Sequence, residues 1–149
     1  MIVDDYHALA AVLSVELGHG ARRTVAYLDA RVPGTMHLRL VSAMHKPTGG
    51  RLTRLVQNAA PEAAHRSALI EAIAVPRIGS VTVLDDRPLA AAIGALTAEP
   101  GISIAFGALI AHAEVTGHPI LIDPANAGRW IDVANARRIE VVSRPATVR

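Results

Sequence analysis

Short apolar runs that each end in acidic residues are the feature that most constrains how this chain folds. The runs cover residues 1–3, 81–84 and 119–122, and the acids that follow them are Asp4, Asp5, Asp85, Asp86 and Asp123. Runs of this length are typical of buried strands, and the stretches between them carry apolar residues at helical spacing. Strands that alternate with helices predict an α/β fold with a mainly parallel sheet.

The periodicity also predicts the individual elements. Helices are expected over residues 6–17, 21–30, 36–44, 51–58, 61–74, 88–97, 102–115 and 127–138, and a last strand over 139–143. No repeat or low-complexity linker interrupts the pattern, so residues 1–144 are expected to form one domain. The tail PATVR, residues 145–149, is predicted to be flexible.

Composition excludes several classes of protein. The chain has 149 residues and is 51% hydrophobic, which is too apolar for a disordered protein. Its net charge of +2 is only weakly basic. The absence of cysteine excludes disulfides, thiolate zinc sites and cysteine nucleophiles. The N-terminus lacks the features of a secretory signal, and the longest apolar region, residues 88–113, is broken by Glu99, Pro100 and Gly101. A cytoplasmic protein without membrane contact is therefore expected.

The strand-end acids are the most informative candidates for a functional site. Ligands of parallel sheets collect outside the carboxyl ends of the strands, where Asp4, Asp5 and Asp123 are all expected. These acids come from distant parts of the chain and could converge at one edge of the sheet. The alternative is structural: Asp4 and Asp5 can cap the first helix, and Asp123 before Pro124 is a common turn residue.

Three segments resemble PIN-domain proteins. MIVDDYHALAAVL resembles the opening of that family, VTVLDDRPLAAAIGAL its middle, and AFGALIAHAEVTGHPILIDPANAGRWIDVANARRIEVV its closing half. The resemblance covers most of the chain and is best over residues 102–142. It implies a PIN-like three-layer sandwich, with a central sheet of four to five short strands and helices on both faces. PIN domains are typically Mg²⁺- or Mn²⁺-dependent ribonucleases, and many are the toxin half of bacterial toxin–antitoxin pairs.

The resemblance also implies a set of three or four carboxylates around the metal. Asp5 matches the first, with Asp4 as an alternative, and Asp123 matches the fourth. The second falls within residues 40–43, where no acid occurs, and the third falls on Gly107. If the chain were active, Asp5 and Asp123 would be its catalytic and metal-binding residues. Two carboxylates allow weak binding of one ion, whereas a two-metal mechanism needs more negative charge.

These gaps lead to one leading function and two alternatives. The leading prediction is a degenerate PIN-like domain of the toxin–antitoxin type, which binds an antitoxin-like protein partner or RNA with little or no nuclease activity and no cofactor. The first alternative is an active Mg²⁺- or Mn²⁺-dependent endoribonuclease toxin, in which Asp4, backbone carbonyls or other acids replace the missing ligands. The second is a DNA-binding regulator that uses a helix-turn-helix within residues 51–74, where Arg51, Arg54 and Arg66 would contact phosphate.

Other side chains give weaker signals. The seven histidines lack metal-binding spacing, but His7 lies close to the retained acids and could contact phosphate. His7, Arg51 and Arg54 are therefore the candidate nucleic-acid-binding residues, although arginines on a helix face are commonly only solvated. The alanine-rich helices could leave apolar surface uncovered, which favours a homodimer or another protein partner.

Overall fold

The computed structural model describes residues 1–16, 30–46, 49–59, 62–74, 77–78 and 81–146. The helices are α1 (Asp5–Glu16), α2 (Gly34–Met44), α3 (Arg51–Ala59), α4 (Ala63–Ala74), α5 (Ala90–Thr97), α6 (Ile104–Thr116) and α7 (Trp130–Ala136). The strands are β1 (Ile2–Val3), β2 (Ala30–Pro33), β3 (Arg77–Ile78), β4 (Val81–Leu84), β5 (Ile120–Ile122) and β6 (Val141–Ser143). Short 3₁₀ turns precede α5 and follow β5.

The strands form a single sheet in the order β3-β4-β2-β1-β5-β6. Five of them are parallel to their neighbours, and the two-residue β3 is antiparallel to β4 at one edge. Ile2 in β1 pairs with Arg31 on one side and with Ile120 on the other, so β1 lies at the centre. This arrangement confirms the predicted α/β three-layer architecture with a mainly parallel sheet.

Strand β2 is an element that the sequence analysis missed. Its last three residues, Arg31–Pro33, combine a charged side chain with a proline, and neither is typical of a strand paired on both sides. The strand nevertheless pairs with both β1 and β4. Ala30, predicted as the end of a helix, is its first residue, and the rest of that predicted helix, residues 21–29, lies outside the described residues.

The alanine-rich helices differ in burial. Helix α6 is buried over its central turns, from Gly107 to Ala113, and ends at Gly117, whose φ of +67° favours glycine. Helix α5 buries only Ile93 and Leu96 and exposes its alanines. Alanine-rich sequence therefore belongs to the core in α6 but to the surface in much of α5.

The order of the strands places a crevice beside β1. From β1 the chain proceeds to β2 and β4 on one side and then returns to β5 and β6 on the other. At such a switch point the connections leave in opposite directions, and a crevice opens outside the carboxyl ends of the two central strands. Here those strands are β1 and β5, which are followed by Asp4 and Asp123.

The C-terminal end of the described residues packs against the sheet. Ala146, assigned to the flexible tail, is buried and its backbone N–H donates a hydrogen bond to Asp123. Ala146 therefore contacts the end of β5 although it lies beyond residue 144, the expected end of the domain. Within the described residues, no helix has both the length and the hydrophobicity that crossing a bilayer requires.

Candidate binding site at the carboxyl edge of the sheet

The strand-end aspartates meet at the crevice between β1 and β5. Asp4, Asp5 and Asp123 are all fully buried. The backbone N–H of Asp123 donates to Oδ2 of Asp4 at 2.8 Å, which joins the ends of the two strands. The expected convergence of acids from distant parts of the chain is therefore present in the structure.

Asp4 is fully occupied by protein donors. Its Oδ1 accepts hydrogen bonds from the backbone N–H of His7 at 2.9 Å and lies 2.8 Å from Nδ1 of the same residue. Its Oδ2 accepts from the N–H of Asp123 and from Nδ2 of Asn126 at 2.7 Å. A carboxylate with four such contacts acts as a structural anchor that holds α1 against β5.

Asn126 links the acids to each other and to a cation. Its Nδ2 donates to Asp4 and also to Oδ1 of Asp5 at 2.9 Å, and its Oδ1 accepts from Arg39 at 2.6 Å. The backbone carbonyl of Asn126 in turn accepts from the indole N–H of Trp130. The amide is therefore fixed on both sides, and its orientation is set by the groups that it bridges.

Asp5 forms an ion pair with Arg39 on α2. Nε of Arg39 lies 2.8 Å from Oδ2 of Asp5. The angles do not make this contact a hydrogen bond, and Oδ2 accepts none from the described residues. Burial raises the pKa of Asp5 from 3.8 to about 6; Arg39 opposes this rise, Asp4 adds to it, and hydrogen bonds from Asn126 and the N–H of Tyr6 oppose it. The ion pair thus compensates only part of the cost of burying this charge.

Asp123 forms the matching pair with Arg51 at the start of α3. Its Oδ1 accepts from a terminal N–H of Arg51 at 3.0 Å and from the N–H of Ala125 at 2.9 Å, and its Oδ2 accepts from the N–H of Ala146 at 2.8 Å. The Arg51 guanidinium lies over the ring of Tyr6, 5.5 Å from its centre. Burial and the nearby Asp5 raise the pKa of Tyr6.

The two guanidinium groups form the solvent-facing surface of the site. The side chain of Arg39 is 38% exposed and that of Arg51 is 49% exposed, whereas the carboxylates beneath them are fully buried. Arg39 lies 5.4 Å from the ring centre of Phe106, which is itself stacked on Trp130. Each guanidinium has five N–H donors, and Arg39 and Arg51 each donate one hydrogen bond to the described residues, while Nε of Arg39 also forms the ion pair with Asp5. The remaining donors are held in place by aromatic and carboxylate contacts.

The residues present do not fit the metal centre that the PIN resemblance implies. Mg²⁺ and Mn²⁺ require several oxygen ligands, but Asp4 and Asp123 already accept protein hydrogen bonds on both oxygens, and Asp5 is paired with Arg39. In the described part of the chain, no group of three or more acidic or histidine side chains has an arrangement that could hold a metal ion. A metal here would have to displace two arginines.

Position 107 cannot supply the missing third ligand. A Cβ built on Gly107 would lie 3.4 Å from the backbone oxygen of Ile93 and from Cγ2 of Thr97. A side chain at this position therefore points into α5 and away from the buried aspartates. An added Cβ would be at van der Waals contact with α5, so a longer side chain at this position has to press against that helix.

The other sequence candidates occupy different places. His7 is only 1% exposed, with its ring against Asp4, so phosphate cannot reach it without displacing that ring. Arg51 contacts Asp123, whereas Arg54, one turn later on α3, is exposed. Arg66 on α4 lines a separate cleft. The three arginines of the proposed helix-turn-helix therefore occupy three different settings: an ion pair with a buried aspartate, an exposed helix face and the lining of a cleft.

Sequence reasoning missed Arg39, Asn126 and Tyr6. The resemblance predicts a glutamate within residues 40–43, and Arg39 directly precedes that range. A basic residue beside the expected position of an acidic one was the signal available in the sequence. Asn126 follows Asp123 in the short turn DPAN, where only the aspartate attracted attention. Tyr6 directly follows Asp5, but nothing in its spacing indicated that a guanidinium would lie over it.

A second polar cluster lies at the end of β4. Asp86 accepts hydrogen bonds from the N–H groups of Gly34 and Thr35, at 3.1 and 2.6 Å, and lies 2.7 Å from Nε2 of His112. Burial raises the pKa of Asp86, but the hydrogen bonds from His112, Thr35 and Gly34 outweigh it, so the net shift is downward. Asp86 thus caps the N-terminus of α2 from a distant part of the chain.

No protein-family model and no curated protein sequence matches this chain.

Proposed function

We propose that this chain is a PIN-like domain that binds single-stranded RNA without cleaving it, with the guanidinium groups of Arg39 and Arg51 as phosphate ligands. The proposal keeps the leading prediction of a degenerate member of the toxin–antitoxin type. It favours RNA over an antitoxin-like protein as the ligand of this crevice. A protein partner or a homodimer would use other surfaces.

The observation that carries the proposal is the pairing of each exposed guanidinium with a buried carboxylate. Arg39 forms an ion pair with Asp5 and lies against the ring of Phe106. Arg51 forms an ion pair with Asp123 and lies against the ring of Tyr6. Arginine fixed in this way loses little conformational entropy when it binds a phosphate in a bidentate manner. The crevice also lies where parallel α/β sheets bind their ligands.

The charges of the site explain why binding and cleavage separate. Each guanidinium already has a carboxylate partner, so the site attracts phosphate mainly through oriented donors rather than through a large net positive charge. Affinity is therefore expected to be modest and to depend on salt. Cleavage with metal assistance would need free carboxylates, and the arginines occupy them.

The test is fluorescence anisotropy with a labelled 12-nucleotide single-stranded RNA. Arg39→Gln and Arg51→Gln are each expected to weaken binding about tenfold, as the loss of one bidentate phosphate contact implies. Arg137→Gln is the matched control, because its side chain is also 38% exposed and also forms one ion pair, with Glu114. Equal affinities in all four proteins would contradict the proposal.

A further inference from the structure

A second cleft lies between α2, α3 and α4. It is separate from the crevice between β1 and β5 that holds Asp5, Asp123 and their arginines, the switch-point site. The second cleft has a volume of about 510 Å³, which is within the range of roughly 300–1,000 Å³ of small-ligand sites. Its floor is formed by Met44, Thr53 and Val56, which are all buried. The cleft is therefore large enough for a nucleotide, and its floor combines two apolar side chains with one threonine.

The rim of this cleft is basic. His45 and Lys46, at the end of α2, are exposed, and Arg66 on α4 is half-buried. None of the described residues that line the cleft is acidic. Lys46 is the only lysine of the whole chain. A floor that includes Met44 and Val56, with a cationic rim, suits the base and phosphate of a nucleotide.

Helix α3 separates this cleft from Asp123 and the switch-point site. Arg51 at its first position reaches Asp123, whereas Thr53 faces the cleft and donates to the carbonyl of Ala43. Arg54 is exposed and lies one turn from Arg51, and Gln57, on the cleft, lies one turn further along the same face. Arg54 therefore lies on the exposed side of α3, between the cleft and the switch-point site.

We infer that one strand of RNA binds both to the switch-point site and to the cleft between α2, α3 and α4. The strand crosses α3 at Arg54 and places a neighbouring nucleotide in the cleft. This inference rests on the proposed function, because it extends the same ligand beyond Arg39 and Arg51. The ligand is an RNA strand rather than an acidic peptide, because the cleft combines apolar side chains (Met44, Val56) with a cationic rim, and a nucleotide offers a base as well as a phosphate.

The experiment measures the affinity of the 12-nucleotide RNA as a function of salt for the full chain. The double variant Lys46→Gln/Arg66→Gln is expected to bind about tenfold more weakly. The slope of log affinity against log salt is expected to fall by about 1.4, since each lost single-strand phosphate contact contributes about 0.7. Arg54→Gln is expected to lower the slope by about half that amount.

The control is Arg137→Gln/Arg138→Gln, which removes two charges at the opposite edge of the sheet, beside the start of β5. If the cleft variant binds like this control while Arg39→Gln still weakens binding, the inference fails and the proposed function stands. If the cleft variant loses affinity and Arg39→Gln does not, both fail. Equal binding of a polyglutamate peptide would also overturn the inference, because it would show recognition of charge without a base.

Discussion

Nε of Arg39 lies 2.8 Å from the buried Oδ2 of Asp5, so a half-exposed cation covers the carboxylate that a PIN-type metal would need. The same relationship holds between Arg51 and Asp123. Together these pairs convert an acidic crevice into one whose solvent-facing groups are hydrogen-bond donors.

The buried charge of Asp5 predicts a specific dependence of stability on pH. Its pKa is about 6 in the folded protein and 3.8 ordinarily, so between these values the folded chain binds more protons than the unfolded one. Stability from this group is therefore present at low pH and is lost as the pH rises through this window, by up to about 3 kcal/mol.

Comparison with Asp5→Asn isolates this contribution, because the amide cannot ionise. We expect the free energy of unfolding of the wild type, minus that of Asp5→Asn, to decrease from about pH 4 to about pH 6.5. Urea denaturation at a series of pH values measures it. A difference that stays constant or increases over that range would show that Asp5 is not a destabilised buried carboxylate.

Asn126 is predicted to be a main determinant of the stability of the site. Asn126→Ala removes two hydrogen bonds to carboxylates and one from Arg39, and we expect a loss of about 3 kcal/mol or more, since each hydrogen bond to a charged group contributes about 1.5–3 kcal/mol. Asn135→Ala, at an exposed position of α7, is the control and is expected to change stability by less than about 0.5 kcal/mol. Similar effects of the two substitutions would show that the network around Asn126 is weak.

Two helical glycines give a matched test of the α5–α6 contact. Nothing lies within 4 Å of a Cβ built on Gly94, so Gly94→Ala is expected to stabilise α5 by about 0.5–1 kcal/mol. Gly107→Asp is expected to destabilise the chain by about 1–3 kcal/mol, because its side chain is forced against Ile93 and Thr97. Thermal unfolding measures both.

Gly107→Asp also tests whether the family's third carboxylate could be restored. Because position 107 faces α5, this variant is not expected to gain Mn²⁺ binding in a calorimetric titration. Tight Mn²⁺ binding by the folded variant would show that the side chain reaches the buried aspartates after all.

Asp86 is predicted to stabilise the start of α2. Asp86→Ala removes the acceptor for the N–H groups of Gly34 and Thr35 and for His112, and a lost helix cap costs about 1–2 kcal/mol. The lowered pKa of Asp86 means that its contribution is present above its ordinary pKa and is lost as the pH falls further. Denaturation of Asp86→Ala and the wild type at pH 7 and pH 3 checks both statements, and equal stabilities at pH 7 would contradict them.

Local sequence predicted the framework of the site better than its chemistry. Acids that follow buried strands emerge at the carboxyl edge of a parallel sheet, so the periodicity already indicated that Asp4 and Asp123 could meet there. Strand β2 did not follow, because Arg31 and Pro33 belong to a strand only through pairing with β1 and β4. Local sequence cannot reveal partners that tertiary structure supplies.

The arginines illustrate the same limit. Arg39 is half-exposed on α2 and Arg54 is exposed on α3, and only the packing of α2 against the crevice directs Arg39 to Asp5. Arg51 reaches Asp123 because α3 begins beside β5, which no spacing within the helix specifies. The PIN resemblance and the toxin–antitoxin role stay predictions, since neither is tested by the fold alone.

Incubation of the purified chain with labelled single-stranded RNA and Mn²⁺ tests most directly whether the arginines have replaced the metal. The account predicts that the RNA binds, that binding depends on Arg39 and Arg51, and that the RNA remains intact. Cleavage that requires Mn²⁺ and is abolished by both Asp5→Asn and Asp123→Asn would contradict it, because those carboxylates would then be holding a metal.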